Sequence, residues 1–483
     1  MQLIFEKCRQ RRAITFDAID VPEAVLPAEL CRASLAELPE LSEIDVVRHF
    51  THLSQRNVGV DCHFYPLGSC TMKYNPKLAE AVAAYPGFSW LHPHLASLPA
   101  YHAKCQGALE VVYELERLLA EIAGMKAACI KPMAGAHGEL TGVLLIAAYH
   151  RDKGHAHKDT ILVPDSAHGT NPASAAIAGY KVVEVPSNSD GLTDLDKLRA
   201  AMNDNVAGIM LTCPNTHGLF ETNIAEIARM AHEVDALLYY DGANLNAIVG
   251  QCRPGDLGFD VMHYNLHKTF GTPHGMGGPG SGPVGVSERL LPYLPGPRVV
   301  KRDGHFSLET PEKSIGRMTA FFGNFLIALR AYAYILHLGD AGLRDVGRMA
   351  VLNANYVLAR LKDAYKPAFP ATVMHECLFT ASPQAEKGVH AIDIAKALID
   401  RGYHAPTIYF PLTVKECLMI EPTETESKET LDAFCDAMIE IARLVDEDPE
   451  SLRAAPRSTP VGRLDEVKAA KELNCARLSP HLA

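Results

Sequence analysis

The chain has 483 residues, of which 48% are hydrophobic and 21% charged, a balance typical of a soluble globular protein with more than one domain. A formal net charge of −11 argues against a nucleic-acid-binding surface, and the lack of a run of about 18 apolar residues argues against a membrane protein. The 12 cysteines form no disulfide framework and the 22 histidines show no zinc-binding spacing, so we expect reduced thiols, a cytoplasmic location and no metal site.

Residues 1–100 predict an N-terminal arm followed by an extended connecting segment. Prolines interrupt the arm up to about residue 40, and residues 41–55 have the apolar spacing of a helix. From residue 56 the chain is rich in glycine, proline and aromatic residues. The motif Phe64–Pro76 in this segment either lines a substrate entrance or forms a tight loop. The side chains of this motif that could contact a substrate are Ser69, Cys70, Thr71 and Lys73.

Residues 101–335 alternate between strand and helix patterns and predict a large cofactor-binding α/β domain. Helices are expected at 109–123, 195–202, 224–234 and about 323–338. Strands are expected at 160–164, 181–185, 206–211, 236–240, 259–264 and 283–286. Such a series predicts a mostly parallel central sheet with helices on both faces.

Residues 336–446 predict a smaller C-terminal α+β domain, and residues 447–483 predict a charged tail. The elements expected in the smaller domain are helices at 345–363, 391–401 and 428–445 and a strand at 376–380. No internal repeat or low-complexity tract divides the chain further.

A loop of small residues precedes the apolar run 143–148. In Lys131–Gly142, glycine and alanine leave backbone N–H groups accessible, and the N-terminus of a helix favours an anion. We therefore expect Ala136 and His137 to bind the phosphate of a cofactor. The loop matches neither a P-loop nor the dinucleotide-binding pattern, which argues against a nucleotide or nicotinamide ligand.

Polar side chains follow two of the predicted strands. His168 follows the strand 160–164, where an imidazole can stack on an aromatic cofactor or serve as an ordinary structural residue. Thr212 and Asn215 follow the strand 206–211 and either bind the 3-oxygen of a cofactor or form a turn. Ligands bind beyond the carboxyl ends of the strands in a sheet of this kind, so these positions belong to the candidate site.

An acid and a lysine follow two further apolar strands. Asp241 ends one of them, and Lys268 lies just past another, before the Gly-rich run 271–282. A lysine there can hold an aldehyde cofactor as a Schiff base, and a carboxylate can keep a pyridine nitrogen protonated. The pair predicts pyridoxal 5'-phosphate bound covalently to Lys268, with Asp241 at the ring nitrogen and His267 beside the phosphate. The predicted catalytic residues are Lys268, Asp241 and His168.

With these elements in this order, the chain resembles the fold-type I pyridoxal-phosphate enzymes. Longer motifs narrow the resemblance from this superfamily to one family. They are similar to those of glycine dehydrogenase (decarboxylating), the P-protein family of the glycine cleavage system, and within it to the second subunit of the two-subunit form. The motifs are Phe64–Pro76, Ala167–Ser174, Asn265–Phe270 and Met419–Ser427, and the resemblance spans residues 42–468 approximately.

The resemblance implies an enzyme that decarboxylates glycine through a pyridoxal-phosphate aldimine and transfers the aminomethyl group to the lipoyl arm of H-protein. It also implies a homologous partner, glycine dehydrogenase subunit 1, in a hetero-oligomer with two copies of each subunit. The alternative is another fold-type I decarboxylase, lyase or aminotransferase for a small amino acid, because Lys268, Asp241 and His168 would serve any of them. A catalytically silent subunit is disfavoured, because the lysine motif is present.

Overall fold

The computed structural model describes residues 3–7, 20–22, 24–32, 38–275 and 280–472. Much of the predicted arm, part of the Gly-rich run at 276–279, and the end of the predicted tail lie outside these described residues. The chain divides into two compact units, Val60–Gly462 and Met1–Gly59 with Arg463–Ala483. The domain boundaries expected at residues 100, 335 and 446 stay predictions.

The described residues form helices and strands throughout both units. The helices are α1 Glu43–Ser54, α2 Lys77–Ala83, α3 Pro86–Ser89, α4 His102–Ala123, α5 Gly135–Asp152, α6 Thr170–Ile177, α7 Leu195–Ala201, α8 Ile224–Glu233, α9 Leu266–Thr269, α10 Phe325–Leu361, α11 Ser382–Ala385, α12 Ala391–Asp400, α13 Lys428–Glu447, α14 Pro449–Arg453 and α15 Glu466–Lys471. The strands are β1 Ala127–Cys129, β2 Thr160–Pro164, β3 Lys181–Val185, β4 Val206–Thr212, β5 Leu237–Gly242, β6 Val261–Tyr264, β7 Val284–Val286, β8 Arg298–Arg302, β9 His305–Glu309, β10 Lys366–Pro367, β11 Cys377–Thr380, β12 Thr407–Ile408 and β13 Cys417–Ile420. A helix with the length and apolar character of a membrane span is not found in this part of the chain.

The smaller unit contains α1 and α15, and both helices start at a polar side chain. Ser42 accepts a hydrogen bond from the backbone N–H of Asp45 at 3.3 Å, which satisfies one of the free donors at the start of α1. Asp465 accepts one from Lys468 at 2.9 Å at the start of α15. The helix expected at 41–55 is confirmed by α1.

A seven-stranded sheet forms the centre of the larger unit, in the order β1-β7-β6-β5-β4-β2-β3. Five neighbouring strands, from β6 through β5, β4 and β2 to β3, are parallel. Strand β7 runs antiparallel to both β6 and β1. The prediction of a mostly parallel central sheet is therefore confirmed.

Helices cover both faces of this sheet because its strands are apolar on both sides. Alternate residues of β4 and β5 enter two separate cores. On one face, Ile209 and Leu238 belong to a core shared with α4, α8 and α10. On the other face, Met210 and Tyr239 belong to a core shared with α5 and α6. Burial on both faces explains why the central strands are nearly continuous apolar runs.

A second, smaller sheet follows in the chain and has the antiparallel order β10-β11-β13-β12. Phe379 of β11 and Leu418 of β13 pack with Val357 of α10, Ile394 of α12 and Phe434 of α13 in one apolar core. This arrangement confirms a smaller α+β region after the central sheet.

Some elements differ from the sequence-based expectation. Strand β1 and the hairpin β8–β9 were not predicted, because short or highly charged strands carry little apolar periodicity. The two helices expected at 323–338 and 345–363 join in α10, with a break at Gly339, whose φ is 62°. The segment expected to be extended contains α2 and α3, which follow Pro76 and Tyr85 and end within two turns.

Candidate active site

The carboxyl ends of β2, β4, β5 and β6 face the N-terminus of α5 across a cavity of about 220 Å³. Of the site residues predicted from the sequence, those that line it are Ala136, His168, Thr212, Asp241, His267 and Lys268. His137 and Asn215 are not among the lining residues. The cavity is also lined by Glu139, His263 and Asn265, which the sequence analysis did not single out.

Asp241 lies at the end of β5 and is almost completely buried. Its Oδ1 accepts the backbone N–H of Ala243 at 2.9 Å, and its Oδ2 accepts the side-chain amide of Asn171 at 3.1 Å and the hydroxyl of Thr212 at 3.3 Å. Burial raises the pKa of Asp241, but His263 in its protonated form, the hydrogen bonds from Ala243 and Asn171, and Lys268 outweigh burial and lower the pKa overall. Asp241 is therefore an ionised carboxylate directed at the cavity.

Lys268 lies in the one-turn helix α9, which follows β6. Its Nζ donates to the backbone carbonyl of Ser69 at 2.7 Å. Ser69 belongs to the motif Phe64–Pro76, so this motif contacts the lysine and lines the cavity. Of the two interpretations of the motif, the structure supports a loop that also forms a wall of the site.

His168 and Glu139 are linked through Thr170. The Thr170 hydroxyl lies 2.9 Å from His168 Nδ1 and donates to Glu139 Oε1 at 2.8 Å. Burial and then the neighbouring Asp241 raise the pKa of Glu139 to about 8. Glu139 consequently keeps its proton at pH 7, and the Thr170 hydroxyl links it to His168.

His263 extends from β6 beside Asp241. Its Nε2 lies 3.5 Å from Asp241 Oδ1 and 2.6 Å from Asn265 Nδ2, and its Nδ1 lies 2.6 Å from the Tyr239 hydroxyl. Burial lowers the pKa of His263 to about 4, so the ring is neutral. A histidine inside an otherwise apolar strand was a sequence signal for this position.

The N-terminus of α5 comes close to the Gly-rich segment after Lys268. A Cβ at Gly135 would lie 2.8 Å from Asn265 Oδ1, and a Cβ at Gly282 would collide with the carbonyl of Ala134. Gly282 therefore requires glycine, because the colliding atom belongs to the backbone, whereas a side chain at Gly135 would displace the Asn265 amide. The close approach leaves the first backbone N–H groups of this long helix next to the cavity, which suits a phosphate.

The other predicted residues have structural partners. His137 Nδ1 accepts the backbone N–H of Met133 at 3.2 Å, within the first turn of α5. Asn215 organises a turn, since its side-chain oxygen accepts the backbone N–H groups of His217 and Leu219 at 3.0 and 3.1 Å. The turn interpretation thus accounts for the contacts of Asn215.

The polar groups around the cavity fit pyridoxal phosphate. A carboxylate, a lysine and a helix N-terminus surround one space, as a pyridine nitrogen, an aldehyde and a phosphate require. Glu139 Oε2 and Asn171 Oδ1 are buried and have no hydrogen-bond partner among the described residues. Of these two residues, Glu139 lines the cavity, so its free oxygen is available to a bound group.

Comparisons with known proteins identify the family of the chain. The family model described as glycine dehydrogenase, C-terminal domain, matches residues 346–456, and the model described as aminotransferase class-V matches residues 138–292. A protein of Caldanaerobacter subterraneus subsp. tengcongensis named "probable glycine dehydrogenase (decarboxylating) subunit 2" is 55% identical over 475 residues, which cover 97% of each chain. A protein of Chlorobium chlorochromatii with the same name is 55% identical over 479 residues, which cover 98% of each.

The chain belongs to the family of glycine dehydrogenase (decarboxylating) subunit 2. A crystal structure of glycine decarboxylase, the P-protein of the glycine cleavage system, in inhibitor-bound form, matches with a TM-score of 0.71 and 25% identity. The match covers 86% of this chain and 93% of that one. The family and the predicted fold-type I architecture are confirmed, and the class-V match implies pyridoxal phosphate as the cofactor.

Proposed function

We propose that the chain decarboxylates glycine with pyridoxal phosphate and transfers the remaining aminomethyl group to the lipoyl arm of H-protein. The observation that carries this proposal is the single cavity in which Asp241 and Lys268 meet the N-terminus of α5, in a chain of this family. A cytoplasmic location is part of the same proposal.

Each site residue predicted from the sequence, apart from Asn215, has a role in this proposal. Lys268 attaches the cofactor aldehyde through its ε-amine as a Schiff base. Asp241 would keep the ring nitrogen protonated, and His168 would stack its imidazole on the ring. The start of α5, at Ala136 and His137, would bind the phosphate with His267, and Thr212 would donate to the ring oxygen.

The reaction breaks the bond between the glycine α-carbon and its carboxylate. When bound, pyridoxal phosphate supplies an electron sink for the two electrons of that bond. Asp241 stabilises the sink because its carboxylate stays ionised beside the ring. Glu139, which keeps its proton, adds no second negative charge next to Asp241. The charge states of Asp241 and Glu139 thus favour the movement of these two electrons toward the ring nitrogen.

Two protein partners belong to the proposed function. Relatives bear the name subunit 2, and this name implies a subunit 1. We propose a hetero-oligomer with two copies of each subunit. Lipoylated H-protein is the proposed carrier, which binds transiently because it must leave with the aminomethyl group.

Lys268→Ala tests the proposal. In the assembled enzyme this variant is expected to lose covalent cofactor attachment and the release of carbon dioxide from glycine. Borohydride reduction of the wild type followed by peptide mapping should place the label on Lys268. A label on another lysine would refute the assignment.

A second measurement separates the proposed reaction from the chemistry of other fold-type I enzymes. Carbon dioxide release from labelled glycine is expected to depend on added lipoylated H-protein. The matched control is H-protein without its lipoyl group. Equal rates with both carriers would contradict the proposed acceptor.

A further inference from the structure

The loop at Ser69–Thr71 is anchored by two glutamates from the smaller sheet. Ser69 N–H donates to Glu376 Oε2 at 2.8 Å. Thr71 donates to Glu421 twice, from its N–H to Oε2 at 3.0 Å and from its hydroxyl to Oε1 at 2.5 Å. Both glutamates are completely buried, and they lie just before β11 and just after β13. Residues more than 300 positions away in the sequence thus determine the course of this loop.

The loop needs these anchors because its backbone is strained. Ser69 has a φ of 66° and Thr71 a φ of 45°, which is the left-handed region that favours glycine. Thr71 is β-branched, so its conformation is especially unfavourable. Residues keep such conformations when the surrounding contacts impose them. The glutamates therefore fix the direction in which the Ser69 carbonyl points.

That carbonyl accepts the hydrogen bond from Lys268 Nζ. The same loop also holds the backbone next to the lysine, since Lys73 Nζ donates to the carbonyl of Thr269 at 2.7 Å. Lys73 is itself buried and pairs with Glu424 at 2.5 Å. The motif Phe64–Pro76 thus contacts both the side chain of Lys268 and the helix that carries it.

We propose that the Ser69 carbonyl is the docking position of the Lys268 amine after glycine has displaced it from the cofactor, with Glu376 and Glu421 as positioning residues. The inference rests on the proposed function. In the displacement, the glycine nitrogen forms a C=N bond to the carbon that Lys268 held, and the C=N bond between that carbon and Lys268 breaks. The two protons of the glycine amine are transferred to the lysine nitrogen. Lys268 is partly buried, and an amine held partly away from water without an acceptor is unfavourable, so the carbonyl favours the displaced state.

The two anchors are buried acids that accept hydrogen bonds from the loop through their carboxyl oxygens. Burial, followed by the charge of Glu421, raises the pKa of Glu376 well above its usual range, and burial raises the pKa of Glu421. A protonated Glu376 still accepts the Ser69 N–H through its other oxygen. Glutamine has the same shape and also offers an accepting oxygen, whereas methionine fills the space without one.

The experiment compares Glu376→Met and Glu376→Gln in the assembled, cofactor-loaded enzyme. The glycine dissociation constant is measured from the change in cofactor absorbance, together with KM and kcat. We expect Glu376→Met to weaken glycine binding about tenfold, because a lost hydrogen bond to a charged or buried group has that effect. Glu376→Gln should restore most of the binding.

Glu116→Met is the matched control. Glu116 is also buried and also accepts a backbone N–H, that of Ile130 at 3.1 Å, but it does not line the cavity. It should lower thermal stability without changing the glycine dissociation constant. If Glu376→Met does not assemble, Glu421→Met, which removes the other anchor, is the deciding variant with the same expected tenfold effect.

The outcomes separate this inference from the proposed function. If Lys268 is labelled by borohydride in all variants but Glu376→Met binds glycine as the wild type does, the inference is wrong and the proposed function stands. Equal weakening in Glu376→Met and Glu116→Met also overturns it, because the effect would then reflect general destabilisation. Labelling of a different lysine in the wild type overturns the proposed function and this inference together.

Discussion

Asp241 keeps its charge in a buried position through the groups that surround it. We expect Asp241→Asn to retain bound cofactor, because asparagine has nearly the same shape. Its glycine decarboxylation rate should fall about 100-fold, which corresponds to roughly 3 kcal/mol, because the ring nitrogen loses its ionic partner. The measurements are cofactor content by absorbance and kcat of the assembled enzyme. Turnover close to that of the wild type at full cofactor content would contradict the role.

Glu139 gives the cofactor-free protein a pH-dependent stability. Its pKa of about 8 in the folded state lies above the usual 4.5, so the folded protein keeps a proton that the unfolded chain loses. Stability from this group is therefore complete at low pH and is lost as pH rises toward 8. In Glu139→Gln this loss disappears, so the variant should gain stability relative to wild type between about pH 5 and pH 8, on the order of 2–4 kcal/mol.

Melting temperatures of both proteins at several pH values test this expectation. The difference between variant and wild type isolates Glu139 from the buried histidines, which are common to both proteins. A constant difference from acid to alkaline pH would show that Glu139 is ionised in the folded protein.

The site residues that could be predicted from the sequence are those at the ends of strands. Lys268, Asp241 and His168 follow apolar strands, and the ends of parallel strands meet at one edge of the sheet. Glu139 could not be predicted, because a glutamate in the first turns of a helix usually faces solvent. Glu376 could not be predicted either, because its role depends on a contact with a loop far away in the sequence. Local patterns contain no information on such pairs.

At the scale of the elements, α5 packs tightly on the central sheet. A Cβ at Gly142 in this helix would collide with the ring of Tyr239, a fully buried residue of β5 whose hydroxyl lies 2.6 Å from His263. Gly142→Ala should therefore destabilise the protein by about 1–3 kcal/mol, as overpacked cores do. Cofactor affinity should fall as well, because α5 carries the phosphate site.

Gly107→Ala is the matched control for this helix–sheet contact. Gly107 lies in α4, and a Cβ there would meet no atom within 4 Å. Alanine should stabilise this exposed helical position by about 0.5–1 kcal/mol. Chemical denaturation of the cofactor-free proteins measures both effects. Stabilisation by both substitutions would mean that the Gly142 contact imposes no steric limit.

The elements that the sequence predicted well are the central strands and the long helices. Burial on both faces produces continuous apolar runs such as β4 and β5, and one buried face produces the spacing seen in α13. The three residues of β1 and the charged strand β8 lack these patterns. They are strands because neighbouring strands offer them hydrogen bonds, and this information is absent from their own residues.

At the scale of the whole molecule, apolar side chains remain exposed between residues 74 and 101. Trp90 is 83% exposed, and others in the same stretch are Tyr74, Leu78, Tyr85, Leu98 and Tyr101. An exposed group of this kind is typical of an interface. We expect the homologous partner subunit to bury it and to be needed for full activity.

Mass measurement of the isolated chain, of the partner and of their mixture tests this expectation. The mixture should form a larger complex that decarboxylates glycine with lipoylated H-protein. Trp90→Glu should weaken assembly, whereas Leu412→Glu, at a position 92% exposed elsewhere on the chain, should not. Full activity of the isolated chain with H-protein alone would contradict the need for the partner.

The edge strands of the seven-stranded and four-stranded sheets limit how copies of this protein can associate. The outer strands of the small sheet, β10 and β12, have two residues each, and β10 ends in Pro367, which has no N–H to donate. In the large sheet, β1 has three residues and β3 carries Lys181 and Glu184. Short, charged or proline-containing edges do not recruit further strands. Assembly is therefore expected through side-chain surfaces, and concentrated solutions should resist the cross-β aggregation that open sheet edges promote.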